Sequence, residues 1–175
     1  MRMNRIFTIG LTLLGLTFYN CAQTEDPIEC PAQYTGDLQE TETKLTGKWT
    51  LIALVSDTEV DLTNDSINNP DFDMFAQSSE CAKDATFNFF ENRTYVYEVG
   101  YRVEGCSRSN TTGTWKLDTN ELFLVVACGS LTSEVSFNES NSRFEYTNSV
   151  DIQEVNGLVT RANVTYTFEK VEVEP

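Results

Sequence analysis

Residues 156–168 read NGLVTRANVTYTF, and this stretch decides the fold more clearly than any other. The Asn-Gly pair is the strongest short sequence signal for a tight hairpin turn. After it, alternate residues share one face, and a period of two is typical of a half-buried β-strand. The residues on that face are Leu158, Thr160, Ala162, Val164, Tyr166 and Phe168. The stretch therefore predicts a long antiparallel strand that follows a hairpin turn.

The same alternation occurs in most of the chain. A first strand is predicted within residues 45–55, and a hairpin is predicted from residues 112–117 to residues 122–127 across Asp118-Thr119-Asn120. Further alternating segments begin near Ala85, Tyr95 and Leu131. About eight short strands separated by turn signals predict an all-β fold, either an antiparallel sandwich or a closed barrel.

A long polar connection, residues 56–80, follows the first strand. Pro70 at the start of a short apolar segment predicts one short helix over Asp71–Gln77. The aspartates of this connection offer oxygen ligands, but the stretch from Asp61 lacks the glycine and the twelfth-position glutamate of an EF-hand loop. We therefore expect no metal site.

The first 20 residues have the pattern of an export signal. Arg2 and Arg5 precede an apolar stretch of 13 residues, Ile6–Phe18, which is too short to span a bilayer. Cys21 follows, and a cysteine in this place resembles the bacterial lipobox, in which the thiol is acylated. The resemblance implies a signal peptide over residues 1–20 and an acylated Cys21. Polar composition predicts a tether over residues 21–44, and the first strand pattern, which starts at Leu45, predicts the folded domain over residues 45–174.

The anchor would put the protein on the outer membrane or the cell surface, with the membrane as a partner through acylated Cys21. The alternative is ordinary signal cleavage near Ala22, which gives a soluble periplasmic or secreted protein.

Four further cysteines remain if Cys21 is acylated. An even number in an exported chain predicts two disulfides, for which three pairings are possible. A zinc site is disfavoured because no C-x₂-C pair occurs among them.

Charge and composition exclude several functions. The chain has 12 Lys and Arg, 27 Asp and Glu and no His, a net charge of −15. That charge repels phosphate backbones, so nucleic-acid binding is not expected. Without histidine there is no Ser-His or Cys-His pair, and the sequence has no other catalytic motif. We expect neither enzymatic activity nor a cofactor.

Two G-x-W triplets, at 47–49 and 113–115, lie on either side of a C-x-x-D element at 81–84. Together with Cys106 they resemble the bacterial lipocalin-like lipoprotein domains over about residues 45–127. The resemblance implies a lipocalin-like antiparallel β-barrel of about eight strands, with Cys81 opening the second strand. It also pairs Cys81 with Cys106, which leaves Cys30 to pair with Cys128. Trp49 and Trp115 would then plug an end of the barrel, with an arginine stacked on the ring, for which Arg143 and Arg161 are candidates. The alternative is that the two tryptophans line a ligand cavity.

A barrel of eight strands either is filled by side chains or holds one small ligand. Our first hypothesis is an envelope lipoprotein that binds a small hydrophobic or amphipathic molecule. The candidate lining residues are Phe87, Phe89, Tyr95, Tyr97, Phe137, Tyr166 and Phe168. The alternative is an accessory module with a solid barrel, which docks an envelope protein through the 56–80 connection or a barrel face.

Overall fold

Nine antiparallel strands dominate the computed structural model, which describes residues 29–172. The strands are β1 (Gly47–Val60), β2 (Asp71–Asp73), β3 (Thr86–Phe89), β4 (Thr94–Val99), β5 (Ser109–Asp118), β6 (Glu121–Val126), β7 (Gly129–Phe137), β8 (Arg143–Gln153) and β9 (Val159–Lys170). A 3₁₀ helix (Glu40–Leu45) precedes β1, and two four-residue helices, α1 (Met74–Gln77) and α2 (Glu80–Lys83), precede β3. Within residues 29–172 no helix has the length and apolar character needed to cross a membrane.

The sheet closes on itself. Strands β3 to β9 pair in chain order, and β1 pairs with both β3 and β9, so that eight strands form a closed barrel. The three residues of β2 pair only with β1 and lie outside this circuit. Leu51 pairs with Phe168 and Ala53 with Thr167, so Ile52 is an extra residue that forms a bulge in β1. The predicted antiparallel barrel of about eight strands is confirmed.

Both predicted hairpins are present. Thr119 and Asn120 join β5 to β6, and residues 154–158, which include Asn156 and Gly157, join β8 to β9. Gly157 has a φ of 85°, a backbone conformation that favours glycine. Leu158, which we expected on the inner face of the strand, lies in the turn and is exposed.

The connections lie at two ends of the barrel, because consecutive antiparallel strands run in opposite directions. We call one end the mouth; it carries residues 61–85, 100–108, 127–128 and 154–158. We call the other end the base; it carries the 3₁₀ helix and residues 90–93, 119–120 and 138–142.

The helix predicted over Asp71–Gln77 is only partly correct. Residues 71–73 pair with β1 as β2, and the helix is limited to α1, since the Asp73 carboxylate accepts a hydrogen bond from the Ala76 N–H and caps it there. β1 itself continues to Val60, five residues beyond the predicted strand. The connection is therefore shorter and more ordered than its polar composition suggests.

Two apolar clusters hold the barrel together. The larger one fills the base half, where Trp49, Trp115 and Phe144 are completely buried. The smaller one, around Val60, Ile152, Ala162 and Val164, lies where β1, β8 and β9 extend beyond the other strands, and Met74 of α1 packs against it. Each fully buried large side chain contributes about 1.5–3 kcal/mol.

Candidate functional site

A cavity of about 350 Å³ opens at the mouth of the barrel. Its volume is near the lower end of the range usual for small-molecule sites. Of the described residues that line it, none is charged. The lining residues are Phe87, Tyr95, Tyr97, Thr111, Leu122, Leu124, Val126, Leu131, Thr132, Ser133, Tyr146, Asn148 and Tyr166.

The aromatic wall of this cavity is built from cross-strand pairs. Phe87 of β3 lies opposite Tyr97 of β4, and Tyr146 of β8 lies opposite Tyr166 of β9. The Phe87 and Tyr97 ring centroids are 4.6 Å apart, and the two tyrosine rings stack at 4.9 Å with an interplanar angle of 9°. Such aromatic pairs favour a defined arrangement over a mobile one. The opposite wall is aliphatic and comes mainly from β6.

Three tyrosine hydroxyls of the cavity remain protonated over a wide pH range. Burial raises the pKa of Tyr97, Tyr146 and Tyr166, and the neighbouring tyrosines raise those of Tyr97 and Tyr146 further. Within residues 29–172 none of the three hydroxyls makes a hydrogen bond to the protein, and no fully buried polar side-chain atom there lacks a partner. Each hydroxyl therefore has some access to solvent, and none is committed to a hydrogen bond within the described residues.

Below the cavity the barrel is solid. Phe89 stacks on Phe87 at 5.1 Å, and Phe168 stacks on Phe144 at 5.2 Å. At the base, the Trp49 Nε1–H donates to the Leu45 carbonyl at 2.7 Å, and the Trp115 Nε1–H donates to the Phe90 carbonyl at 3.1 Å.

A buried ion pair completes the base. Two Arg93 nitrogens donate to the two Glu42 carboxylate oxygens at 2.8 and 2.7 Å, and the Leu117 N–H donates to Glu42 as well. Burial alone would raise the pKa of Glu42, but the hydrogen bonds from Arg93, Gln39 and Leu117 outweigh it and lower the pKa. Because the base is filled by these side chains, the cavity opens away from it, toward the mouth.

The family model described as "Domain of unknown function (DUF5004)" matches residues 23–170. The chain belongs to the DUF5004 family. No curated protein matches it in sequence. The matched range ends at the last residue of β9 and includes the segment before the barrel, so the DUF5004 domain comprises both.

In the DUF5004 domain the seven candidate lining residues lie at two levels along the barrel axis, the cavity and the packed core below it. Phe87, Tyr95, Tyr97 and Tyr166 line the cavity. The other three, Phe89, Phe137 and Phe168, belong to the packed core or lie against it.

Sequence reasoning missed Tyr146 and the aliphatic wall. Tyr146 follows Phe144 at the strand period, so the alternation could have placed it on the inner face. The apolar run Leu122–Ala127 predicts one arm of a hairpin, but it carries no signal that Leu122, Leu124 and Val126 border a cavity.

The two tryptophans lie at the base, but their expected arginine partners are wrong. The cation over the Trp49 ring is Lys170, whose Nζ lies 5.2 Å from the ring centroid. Arg143 pairs with Glu169 and Arg161 with Asp151 on the outside of the barrel. The alternation along β8 and β9 explains this result, since both arginines occupy outward-facing positions.

Both disulfide pairings are confirmed. Cys30 bonds to Cys128, and Cys81 bonds to Cys106. Cys81 lies in α2 rather than at the start of a strand, so its bond ties the long connection to the loop between β4 and β5. Two disulfides indicate a protein exported to an oxidising compartment.

Residues 29–39, which we call the strap, lie along the outside of the barrel. Cys30 joins the turn between β6 and β7 at the mouth. Further along, the Tyr34 N–H donates to the Thr114 hydroxyl of β5, and the Arg93 side chain donates to the Gly36 and Asp37 carbonyls at the base. The strap thus runs from mouth to base. Cys21 and the predicted signal peptide lie outside the described residues.

Within the described residues, no three His, Cys, Asp or Glu side chains are grouped so as to hold a metal ion. The buried Asp61 carboxylate instead accepts hydrogen bonds from Thr63 and from the Asn69 N–H. It therefore organises the start of the long connection.

Proposed function

We propose that this DUF5004 domain is a cell-envelope lipoprotein that binds one small, uncharged, amphipathic molecule in the cavity at its mouth, and that it is not an enzyme. The observation that carries the proposal is a cavity with an aliphatic wall, free tyrosine hydroxyls and no charged lining residue. An apolar part of the ligand would contact Leu122 and Leu124, and an acceptor atom would bind the tyrosines.

The lining of the cavity and the net charge of the protein favour an uncharged ligand. Moving an ion from water into a site without an opposite charge is costly. An anion would also be repelled by the net charge of −15. The absence of histidine from the sequence and of carboxylates from the described lining supports a binding role rather than a catalytic one.

A matched pair of fluorescent probes tests the ligand class. N-phenyl-1-naphthylamine is uncharged, and 8-anilinonaphthalene-1-sulfonate has the same rings with a sulfonate added. We expect the uncharged probe to bind about tenfold more tightly or better, a difference of at least ~1.4 kcal/mol.

Two neighbouring substitutions localise this binding. Leu124→Trp fills the cavity and should abolish binding of the uncharged probe. Phe123→Trp adds the same side chain on the opposite face of β6, where Lys116 lies over the Phe123 ring, and should leave binding intact. Equal binding of both probes, or equal binding by both variants, would count against the cavity as the site.

The intact mass of the protein extracted from its membrane tests the anchor. We expect the mass of a chain that starts at acylated Cys21, with four cysteines protected from alkylation until reduction. An unacylated chain cut after Ala22 would mean a soluble exported protein instead.

A docking role for the long connection is a second candidate, favoured by the exposure of two apolar side chains there. Ile67 is 64% exposed and Phe72 is 47% exposed. Deleting residues 64–68 together with Phe72→Ser should then abolish capture of an envelope partner, while probe binding is retained. A partner that is still captured after the deletion would exclude this role.

A further inference from the structure

We propose that the mouth of the barrel contacts the surface of the membrane that holds Cys21, so that the cavity opens toward lipid. This inference rests on the anchor in the proposed function. It adds the orientation of the domain and the source of the ligand, which would enter from the bilayer surface.

The Cys30–Cys128 disulfide fixes where the chain leaves the barrel. Cys128 lies in the turn between the last residue of β6, Val126, and the first residue of β7, Gly129, at the mouth. From Cys30 the strap runs away from the mouth and reaches Arg93 at the base. The segment toward Cys21 therefore starts at the mouth.

The segment between this point and Cys21 is short. Nine residue steps separate Cys21 from Cys30. At no more than about 3.6 Å per step, they span at most about 32 Å. The base lies farther away by the length of β6, six residues or about 20 Å. An acylated Cys21 would therefore keep the mouth within about 32 Å of the bilayer, whereas the base is attached to the anchor only through the barrel.

Exposed apolar side chains are concentrated at the same end. Among the described residues, those at the mouth are Ile67, Phe72, Tyr101, Leu131, Val155, Leu158 and Val159, and those at the base are Phe90 and Val171. Val55 is also exposed, but it lies within β1, between the two ends. Leu131 also lines the cavity, so one of these exposed side chains borders its opening. Single exposed apolar residues are ordinary, but a group at one end marks an interaction surface.

A zwitterionic lipid surface fits this end better than an anionic one. The net charge of −15 would be repelled by anionic headgroups, whereas phosphatidylcholine presents no net charge. Burial of the apolar side chains in the headgroup region would add to the attraction from the acyl chains.

Quenching by brominated lipids tests the orientation. The full acylated protein is reconstituted in phosphatidylcholine vesicles that carry bromine on the acyl chains near the headgroups. A tryptophan is introduced at the mouth by Leu131→Trp or, in the exposed turn between β8 and β9, by Leu158→Trp. The control is Phe90→Trp at the base. The native Trp49 and Trp115 are fully buried at the base and give the same background in every variant.

We expect the brominated lipids to remove the emission of the reporters at the mouth and to leave that of Phe90→Trp unchanged. Protein that binds vesicles but shows equal quenching at both ends, or quenching only at the base, overturns this inference and leaves the anchor intact. Unquenched reporters at both ends also overturn it, since the apolar surface would then face a protein or a second copy. Protein that does not associate with vesicles overturns the anchor and this inference together.

Discussion

Gly113 occupies a position where a side chain has no room. A Cβ atom there would collide with the Val125 carbonyl oxygen on β6 and with the ring of Tyr95. The glycine of this G-x-W triplet therefore lets β6 and an inward tyrosine approach the backbone of β5. Gly47, the glycine of the first triplet, has a φ of 109°, a conformation that favours glycine. It lets the backbone change direction between the 3₁₀ helix and β1.

We expect Gly113→Ala to destabilise the barrel by about 2–3 kcal/mol, because the added methyl group overpacks the contact between β5 and β6. The matched control is Gly129→Ala, also in a strand, where the nearest atom to an added Cβ is 3.7 Å away. Its effect should stay within about 0.5 kcal/mol. Urea unfolding of the two variants measures both values, and equal effects would contradict this explanation.

Glu42 makes the stability of the base dependent on pH. Its pKa in the folded protein lies below the value of 4.5 expected when unfolded, so its contribution is complete above that pH and is lost as the pH falls through the folded pKa. Near pH 7, Glu42→Gln should cost about 3 kcal/mol because Arg93 is left buried without its counter-charge. The difference from wild type should shrink below pH 4.5 in unfolding experiments across pH. A difference that stays constant down to pH 3 would show that the carboxylate charge is not the cause.

At the level of elements, alternation predicts the hairpins and the barrel because apolar and polar residues alternate within each strand. The buried face of a strand can therefore be identified from its own sequence. Residues 71–73 show no such alternation. Their pairing with β1 depends on contacts with residues distant in sequence, so the local sequence does not predict it. Composition likewise predicts a tether over residues 21–44, although the strap within it is held by hydrogen bonds to residues 80 positions away in one case and 56 in another. Backbone and side-chain contacts of this kind, between residues distant in sequence, could not be predicted from local sequence patterns.

The two disulfides should differ in how much each contributes to the free energy of unfolding. They close loops with sequence separations of 98 and 25 residues. The loop-entropy relation gives about 4.7 kcal/mol for the longer loop and about 3.5 kcal/mol for the shorter one. Replacing Cys30 and Cys128 together by serine should therefore lower the unfolding free energy more than the same change at Cys81 and Cys106. The reverse order in urea unfolding would mean that residual structure in the unfolded chain, rather than loop length, decides the difference.

Considered as a whole, the molecule is a barrel that is solid at the base and hollow at the mouth. The sequence could not decide between a filled and an open barrel, because an aromatic residue at an inward position serves equally as core or as cavity wall. Phe89 and Tyr97 show the difference: both face inward, yet one is packed between other rings and the other borders the cavity. Their level along the barrel axis, which follows from strand register, determines which role each takes.

The central claim is that the mouth cavity of this DUF5004 domain holds a small uncharged molecule. Native mass spectrometry of the protein purified from the cells that make it, compared with Leu124→Trp prepared in the same way, tests it most directly. We predict that the wild type carries one bound small molecule, without added charge, and that Leu124→Trp carries none. A wild type with nothing bound, or the same bound mass on both proteins, would contradict the claim.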